Sequence, residues 1–189
     1  MEGFEHVVRL YLERSGFVVA TNVKFKLAKK TRKKAREETQ VHGYEVDVVA
    51  ARADRLVLGE VKSFFGSKGV QRKSFAGLTN KPNERELARY RLINDADHRT
   101  ELIGEACKRY GYRAAQVGVA LFVGHFKRGH EDAIVEHVQS IRTAGGAIEV
   151  HGPRDIAKGL RDGVLGDGTY ADDPVVSTLR LLKEVGALE

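Results

Sequence analysis

The sequence predicts an α/β fold in which a mixed central sheet carries helices on both faces. Three observations predict it. A helix-like stretch is followed by three β-rich runs, the last two separated by a polar break of hairpin length. A continuous apolar run at 115–126 suits a strand covered on both sides. From there on, strand-like and helix-like segments alternate, as they do where helical crossovers join strands of one sheet.

Phe4, Val7, Val8, Tyr11 and Leu12 recur at the spacing of one helix face and Gly16 supplies a stop, so 3–15 is expected as the first helix. FVVATNVKFKL, short and β-branched, predicts a strand over 17–27. Between Lys24 and Arg36 eight of thirteen residues are Lys or Arg, a density that self-repels, so 28–40 is expected as an exposed arm or loop. YEVDVVAA (44–51) and RLVLGEVKSF (55–64) read as a hairpin about Arg52-Ala53-Asp54. A Gly/Ser/Lys-rich connection then leads past Pro82 to a Glu/Leu/Ala/Arg-rich stretch ending at Tyr110, expected as one or two helices capped by Asn83. After the 115–126 strand, EDAIVEHVQSIRTAGG predicts a helix to Gly145, AIEVHG (147–152) a short strand, and 153–164 a helix. A Gly/Asp loop at 163–173 precedes a last helix from Pro174, with Val175, Leu179, Leu182 and Val185 on one side. No repeat or low-complexity linker interrupts the 189 residues, so 1–189 is expected to be one domain.

The charge is uneven. Residues 1–90 carry 19 basic and 11 acidic side chains while 91–189 carry 13 and 15, so a polyanion would be met by the front half. A single cysteine, Cys107, excludes an internal disulfide, a four-thiolate zinc site and an iron–sulfur cluster, and an intracellular, cytoplasmic protein is expected. Apolar runs are too short for a membrane span, and the acidic N-terminus MEGFEHVVRL does not read as an export signal.

The chemistry concentrates in the hairpin. Closing it about the break with a two- or four-residue loop sets Asp47 opposite Glu60 and Glu45 opposite Lys62, with cross-strand Cβ atoms about 5 Å apart. Both strands are otherwise apolar on both faces, as central strands are, and central strands do not tolerate unpaired like charges directly opposite each other. Lys62 offsets one charge. Two or three carboxylates converging on a partly desolvated surface call for a divalent cation with oxygen ligands, Mg²⁺ or Mn²⁺, rather than zinc. On the first helix Glu5 falls nearer the apolar side than His6, Arg9 or Glu13, where it can lean toward the same ion.

A helix bearing Glu5, then Asp47, twelve intervening residues and Glu60-Val61-Lys62 resembles the PD-(D/E)XK nuclease superfamily, with a layout similar to archaeal Holliday-junction resolvases. The resemblance covers about residues 3–126. It implies an αβββαβ restriction-endonuclease-like core; residues 127–189 lie outside the resemblance, and their own pattern reads as a C-terminal αβαα extension. It also implies that Asp47, Glu60 and the Val61 carbonyl bind Mg²⁺, that Glu5 completes the site, and that Lys62 positions or activates the attacking water. The implied activity is hydrolysis of phosphodiester bonds by a DNA endonuclease. No Pro precedes Asp47, where Val46 stands, so Glu45 is either an extra ligand or a cross-strand partner of Lys62.

Competing readings accompany each motif. Asp47, Glu60 and Lys62 would be a solvated salt-bridge face if their strands lay at a sheet edge, and Glu5 an ordinary acidic residue of a first helical turn. Lys24, Lys26, Lys29, Lys30, Arg32, Lys33, Lys34 and Arg36 are either a solvated loop or phosphate contacts that release counterions from nucleic acid. Lys68, Gln71, Arg72 and Lys73 follow the catalytic strand and are candidates for the scissile backbone. His42, His125, His130 and His151 form no metal-spaced pair, there is no phosphate loop, and 7% aromatic residues with no Trp weaken a single-strand stacking platform. The alternative to a nuclease is a nuclease-fold protein that holds nucleic acid without cutting it. A homodimer is compatible with cutting two strands.

Overall fold

The computed structural model describes residues 3–33, 36–80, 83–165 and 173–187, and of 28–41 and 163–165 only the backbone. Helix α1 (Gly3–Arg14) leads into β1 (Val18–Lys33), β2 (Arg36–Arg52) and β3 (Arg55–Lys62). A helical segment follows, made of α2 (Glu84–Ala88), α3 (Arg91–Asn94) and α4 (Ala96–Tyr110), then β4 (Val117–Val123) and α5 (Glu131–Ser140). The chain ends with β5 (Arg142–Thr143), β6 (Gly146–Ala147), β7 (Glu149–His151), α6 (Pro153–Leu165) and α7 (Pro174–Glu184). The main sheet runs β1-β2-β3-β4-β7, antiparallel across β1, β2 and β3 and parallel across β3, β4 and β7. It is therefore the mixed α/β sheet the sequence predicts.

Two apolar cores lie on the two sides of this sheet. On one side Leu56, Leu58, Val119 and Leu121 pack with Leu92 and Ile93 of α3, Leu102 of α4 and Ile134 of α5. On the other, Val57, Val61, Ala120 and Phe122 meet Phe4, Val8 and Leu12 of α1, Ile156 and Leu160 of α6, and Val176 of α7. Residues beyond 126 thus complete both layers. Local chemistry sets the helix ends: Asn83 caps α2 as expected, Asp95 accepts from the His98 amide at 2.9 Å, and Gly111 closes α4 at φ +79°. Asp173 caps α7 and also meets His6 Nε2 at 2.8 Å, which ties α7 to α1.

Three expectations need correction. Of the alternatives for 28–40, residues 28–33 and 36–40 are not a loop: from Val23↔Val46 to Lys33↔Arg36 β1 and β2 pair without a break and make the arm a two-stranded ribbon. Backbone hydrogen bonds along the ladder hold the strands together in spite of the repulsion that composition alone suggests. The helix after 130 stops at Ser140, since Ile141 is extended and Gly146, at φ +111°, allows the 142–147 hairpin. Helix α7 packs Val175 and Leu179 on the core as expected, with Val176 innermost, but leaves Leu182 and Val185 of the expected face exposed.

The ribbon also changes face. Val48 and Ala50 pack toward α1, whereas Val46 packs on the opposite side with Phe25 and Leu27, so simple alternation fails between 46 and 48. The register is interrupted at the same place: Thr21 pairs Val48 and Val23 pairs Val46, but Asn22 and Asp47 do not pair, and Asn22 has φ +55°. Asn tolerates this left-handed conformation where β-branched residues do not. Asn22→Val is therefore expected to lower stability by about 1–2 kcal/mol while Asn22→Gly stays close to wild type, as measured by urea denaturation.

Candidate functional site

The β2–β3 ladder runs from Arg52↔Arg55 to Val48↔Gly59, one of the two registers expected, with a two-residue loop of Ala53 and Asp54, and ends one step short of the expected pair, so Asp47 is not paired opposite Glu60. Beyond Gly59, β3 keeps its parallel partner β4 through Lys62↔Val123, while β2 continues only with β1. The Val61 amide consequently faces no strand on that side. It donates instead to Asp47 Oδ2 at 2.7 Å, so an acidic side chain replaces a backbone carbonyl where the strands part. In an extended strand the N–H and C=O of one residue point to the same edge, so the Val61 carbonyl opens toward Asp47 as well.

Glu60 is 5% exposed on an interior strand, which rules out the solvated edge-strand reading. Lys62 joins the two acids, its Nζ 3.1 Å from Glu60 Oε1 and 3.8 Å from Asp47 Oδ2, and lies 5.5 Å over the Tyr90 ring. Glu60 Oε2 is shielded from solvent and makes no hydrogen bond of good geometry, the Leu92 backbone being the least of the groups that favour its charge. Burial, opposed by the Lys62 ammonium, pushes the Glu60 carboxyl up to about 7. Burial, and then nearness to the Glu60 charge, also hold the Tyr44 and Tyr90 phenols above their ordinary range. Tyr44 and Tyr90 thus wall the buried carboxylate, a role that no spacing in the sequence signals.

A cleft of about 500 Å³ opens beside this group, lined among others by Glu5, Asp47, Val61, Lys62, Phe65 and Ser67. Helix α1 brings Glu5 to the cleft as expected. It packs, however, on the side of the sheet opposite to the Leu58 side from which Glu60 projects, so Glu5 and Glu60 approach from different layers. Among the described residues no group of three or more His, Cys, Asp or Glu is placed to hold a metal ion. Glu45 is not opposite Lys62. Because β2 leaves β3 at Val48, Glu45 is exposed and meets β1, accepting from Asn22 Nδ2 at 3.2 Å and standing 3.8 Å from Lys24 Nζ.

The remaining candidates scatter. Lys24 and Lys26 are exposed on β1, Lys24 being engaged with Glu45. Lys29, Lys30, Arg32, Lys33 and Arg36 lie along the ribbon with their side chains outside the described residues, as is the whole of Lys34. Lys68 is exposed next to Ser67 at the cleft, while Gln71, Arg72 and Lys73 do not line it, and the Arg72 amide is held by His130 Nδ1 at 3.1 Å. Of the histidines, His151 stacks on Phe122 at 4.9 Å and Tyr11 Oη lies 3.2 Å from its Nδ1, in keeping with a structural role. Cys107 is half-buried on α4. Among the described residues no helix is long and apolar enough to cross a membrane.

No family model matches the chain, and no curated protein matches it significantly. Two solved structures share part of its shape. The protein of unknown function AF1548 is 18% identical with a TM-score of 0.43, over 97% of this chain and 77% of that one. Protein VC1899 from Vibrio cholerae is 15% identical with a TM-score of 0.36, over 82% of this chain and 30% of that one. At such scores neither likeness bears on the chemistry.

A carboxyl raised from 4.5 to about 7 keeps its proton in the folded protein at pH values where the unfolded chain has released it. Its contribution to stability is complete below pH 4.5 and is lost as pH rises through 7. In EDTA, Glu60→Gln is expected to remove a stability loss on the order of 2 kcal/mol between pH 5 and pH 8. Urea denaturation at the two pH values checks it; equal slopes for wild type and variant would assign the titration elsewhere.

Proposed function

We propose that the protein is a Mg²⁺- or Mn²⁺-dependent nuclease that hydrolyses phosphodiester bonds, acting as a DNA endonuclease. The observation that carries this reading is the convergence of Asp47, buried Glu60 and Lys62 where β2 parts from β3, beside an open cleft. The donor set suits a hard cation: Asp47, Glu60 and the Val61 carbonyl offer oxygen only, and Glu60 Oε2 is a buried acceptor without a hydrogen bond of good geometry. Mg²⁺ keeps several waters and commonly takes one or two carboxylates plus substrate phosphates, so two acidic ligands suffice and Glu5 can act through water. When bound, the ion supplies Lewis acidity toward the phosphate and the leaving oxygen.

The chain's own residues do the rest. Asp47, with one oxygen fixed by the Val61 amide, keeps its carboxylate oriented toward the cleft. Lys62, only partly exposed, presents a cation that stabilises charge gathering on the phosphate in a site of low dielectric and orients the attacking water. Basic residues of the β1–β2 ribbon attract the substrate that this acidic site would otherwise repel.

A second reading has its own support. Lys62 already stands within ion-pair distance of both acids and offsets part of their charge without a metal, as suits a nuclease-fold protein that holds nucleic acid without cutting it. One experiment separates the two. Incubation with supercoiled, linear, branched and single-stranded DNA and Mg²⁺ or Mn²⁺ is expected to give EDTA-sensitive cutting that falls at least about 100-fold in Glu60→Gln and in Lys62→Ala, a loss typical of removing a charge-stabilising group. Binding with no cutting under either metal selects the second reading. Replacing Lys29, Lys30, Arg32, Lys33 and Arg36 by Ala is expected to flatten the dependence of DNA affinity on salt, measured by titration at several salt concentrations.

A further inference from the structure

The cleft is not isolated. Phe65 lines both it and a second, apolar groove of about 670 Å³ between α1, α6 and α7, floored by Phe4, Val7, Ile156, Leu160 and Leu179. Arg154, Lys158 and Arg161 border this groove, at i, i+4 and i+7 of α6, and all three are exposed. Arg161 leans on Asp162 at 3.3 Å, whereas Arg154 and Lys158 have no acidic partner among the described residues.

Phe65 itself is 65% exposed yet firmly seated. Its ring meets Phe4 edge-on at 5.2 Å, and at Gly124 a Cβ would come within 2.8 Å of its tip, so the ring rests directly on backbone. Phe64, just before it, has φ +48°, a conformation costly for an aromatic residue, and its carbonyl accepts from the Ser67 amide and hydroxyl at 3.2 and 2.9 Å. The turn therefore holds an aromatic ring out into water. The groove asks for a ligand that is flat and apolar on one side and anionic on the other, within reach of the candidate phosphodiester site.

We infer that the groove receives unpaired nucleobases of a nucleic-acid strand passing Asp47 and Lys62 in the cleft, with one base stacked on Phe65 and the phosphates following Arg154, Lys158 and Arg161. The path of the strand rests on the nuclease reading; the capture of bases rests on the groove. Only unpaired or splayed bases offer a free face to an aromatic ring, so the assigned substrate class is single-stranded or locally opened nucleic acid rather than intact duplex. The cations match the charge of its backbone, and groove and cleft adjoin at Phe65, which lines both.

The test uses the full chain in EDTA, where cutting is suspended. The sequence has no Trp, so Phe65→Trp adds a lone reporter at an exposed position. A short single-stranded oligonucleotide is expected to quench it, while the matching duplex and an abasic strand of equal length leave it unchanged. Phe65→Ala is expected to weaken single-strand binding roughly tenfold, the effect of losing one stacked base. Equal quenching by duplex or abasic strand, no quenching at all, or a change that depends on protein concentration without DNA, as when a second copy covers the groove, would overturn the proposal. The two readings fail separately. Quenching by a protein that cuts under no metal keeps base capture and removes the nuclease; cutting without quenching does the reverse.

Discussion

The parting of β2 from β3 at Val48 and Gly59 governs this molecule. A sheet satisfies its backbone by continuous pairing, and here one interior strand loses a neighbour on one side while keeping it on the other. The Val61 amide left over must find an acceptor, because a buried N–H without one costs on the order of 1–3 kcal/mol. Asp47 provides it. The same event frees the Val61 carbonyl edge and brings Lys62 within reach of both acids, so the need to satisfy one amide gathers the whole candidate site.

Asn22 makes the parting possible. Its left-handed backbone interrupts the β1–β2 register opposite Asp47, and both strands change the face they offer to the core on crossing that point. Strand β2 can then leave β3 without exposing apolar side chains, since Val46, Phe25 and Leu27 pack under α4 rather than under α1. Alternation along β3 and β4 supplies the two cores on opposite sides of the sheet. Glu5 reaches the cleft from the α1 layer, whereas Glu60 is buried in the other layer and does not line the cleft, so the acidic residues are not clustered.

Burial gives the site its electrostatics. Glu60 sits in a layer of Leu, Tyr and Ile side chains, where Lys62 offsets its charge only in part, and one carboxylate oxygen is left without a hydrogen bond of good geometry. Such an arrangement is poorly compensated as it stands, and a cation or a proton relieves it. Lys62 and Phe65 line one cleft, and Phe65 also lines the neighbouring apolar groove, so a charged surface and an aromatic one adjoin there.

The sequence by itself determined the elements that rest on local physics. The α1 stripe, the hairpin register, the interior run at 117–123 and the Asn83 cap follow from periodicity, turn chemistry and hydrogen bonding among near neighbours, and the nearness of Asp47 and Glu60 to Lys62 was legible from that register, though not that the ladder ends before the two acids pair. Only the tertiary structure decided where alternation breaks. Whether Glu45 meets Lys62 or Lys24, and whether 28–40 loops or pairs, depends on how far β2 stays with β3 and with β1, and residue types do not encode the length of a ladder. Tyr44, Tyr90 and Phe65 entered the site for the same reason: they are distant in sequence or bland in type, and acquire meaning only from the buried charge or groove that packing sets beside them.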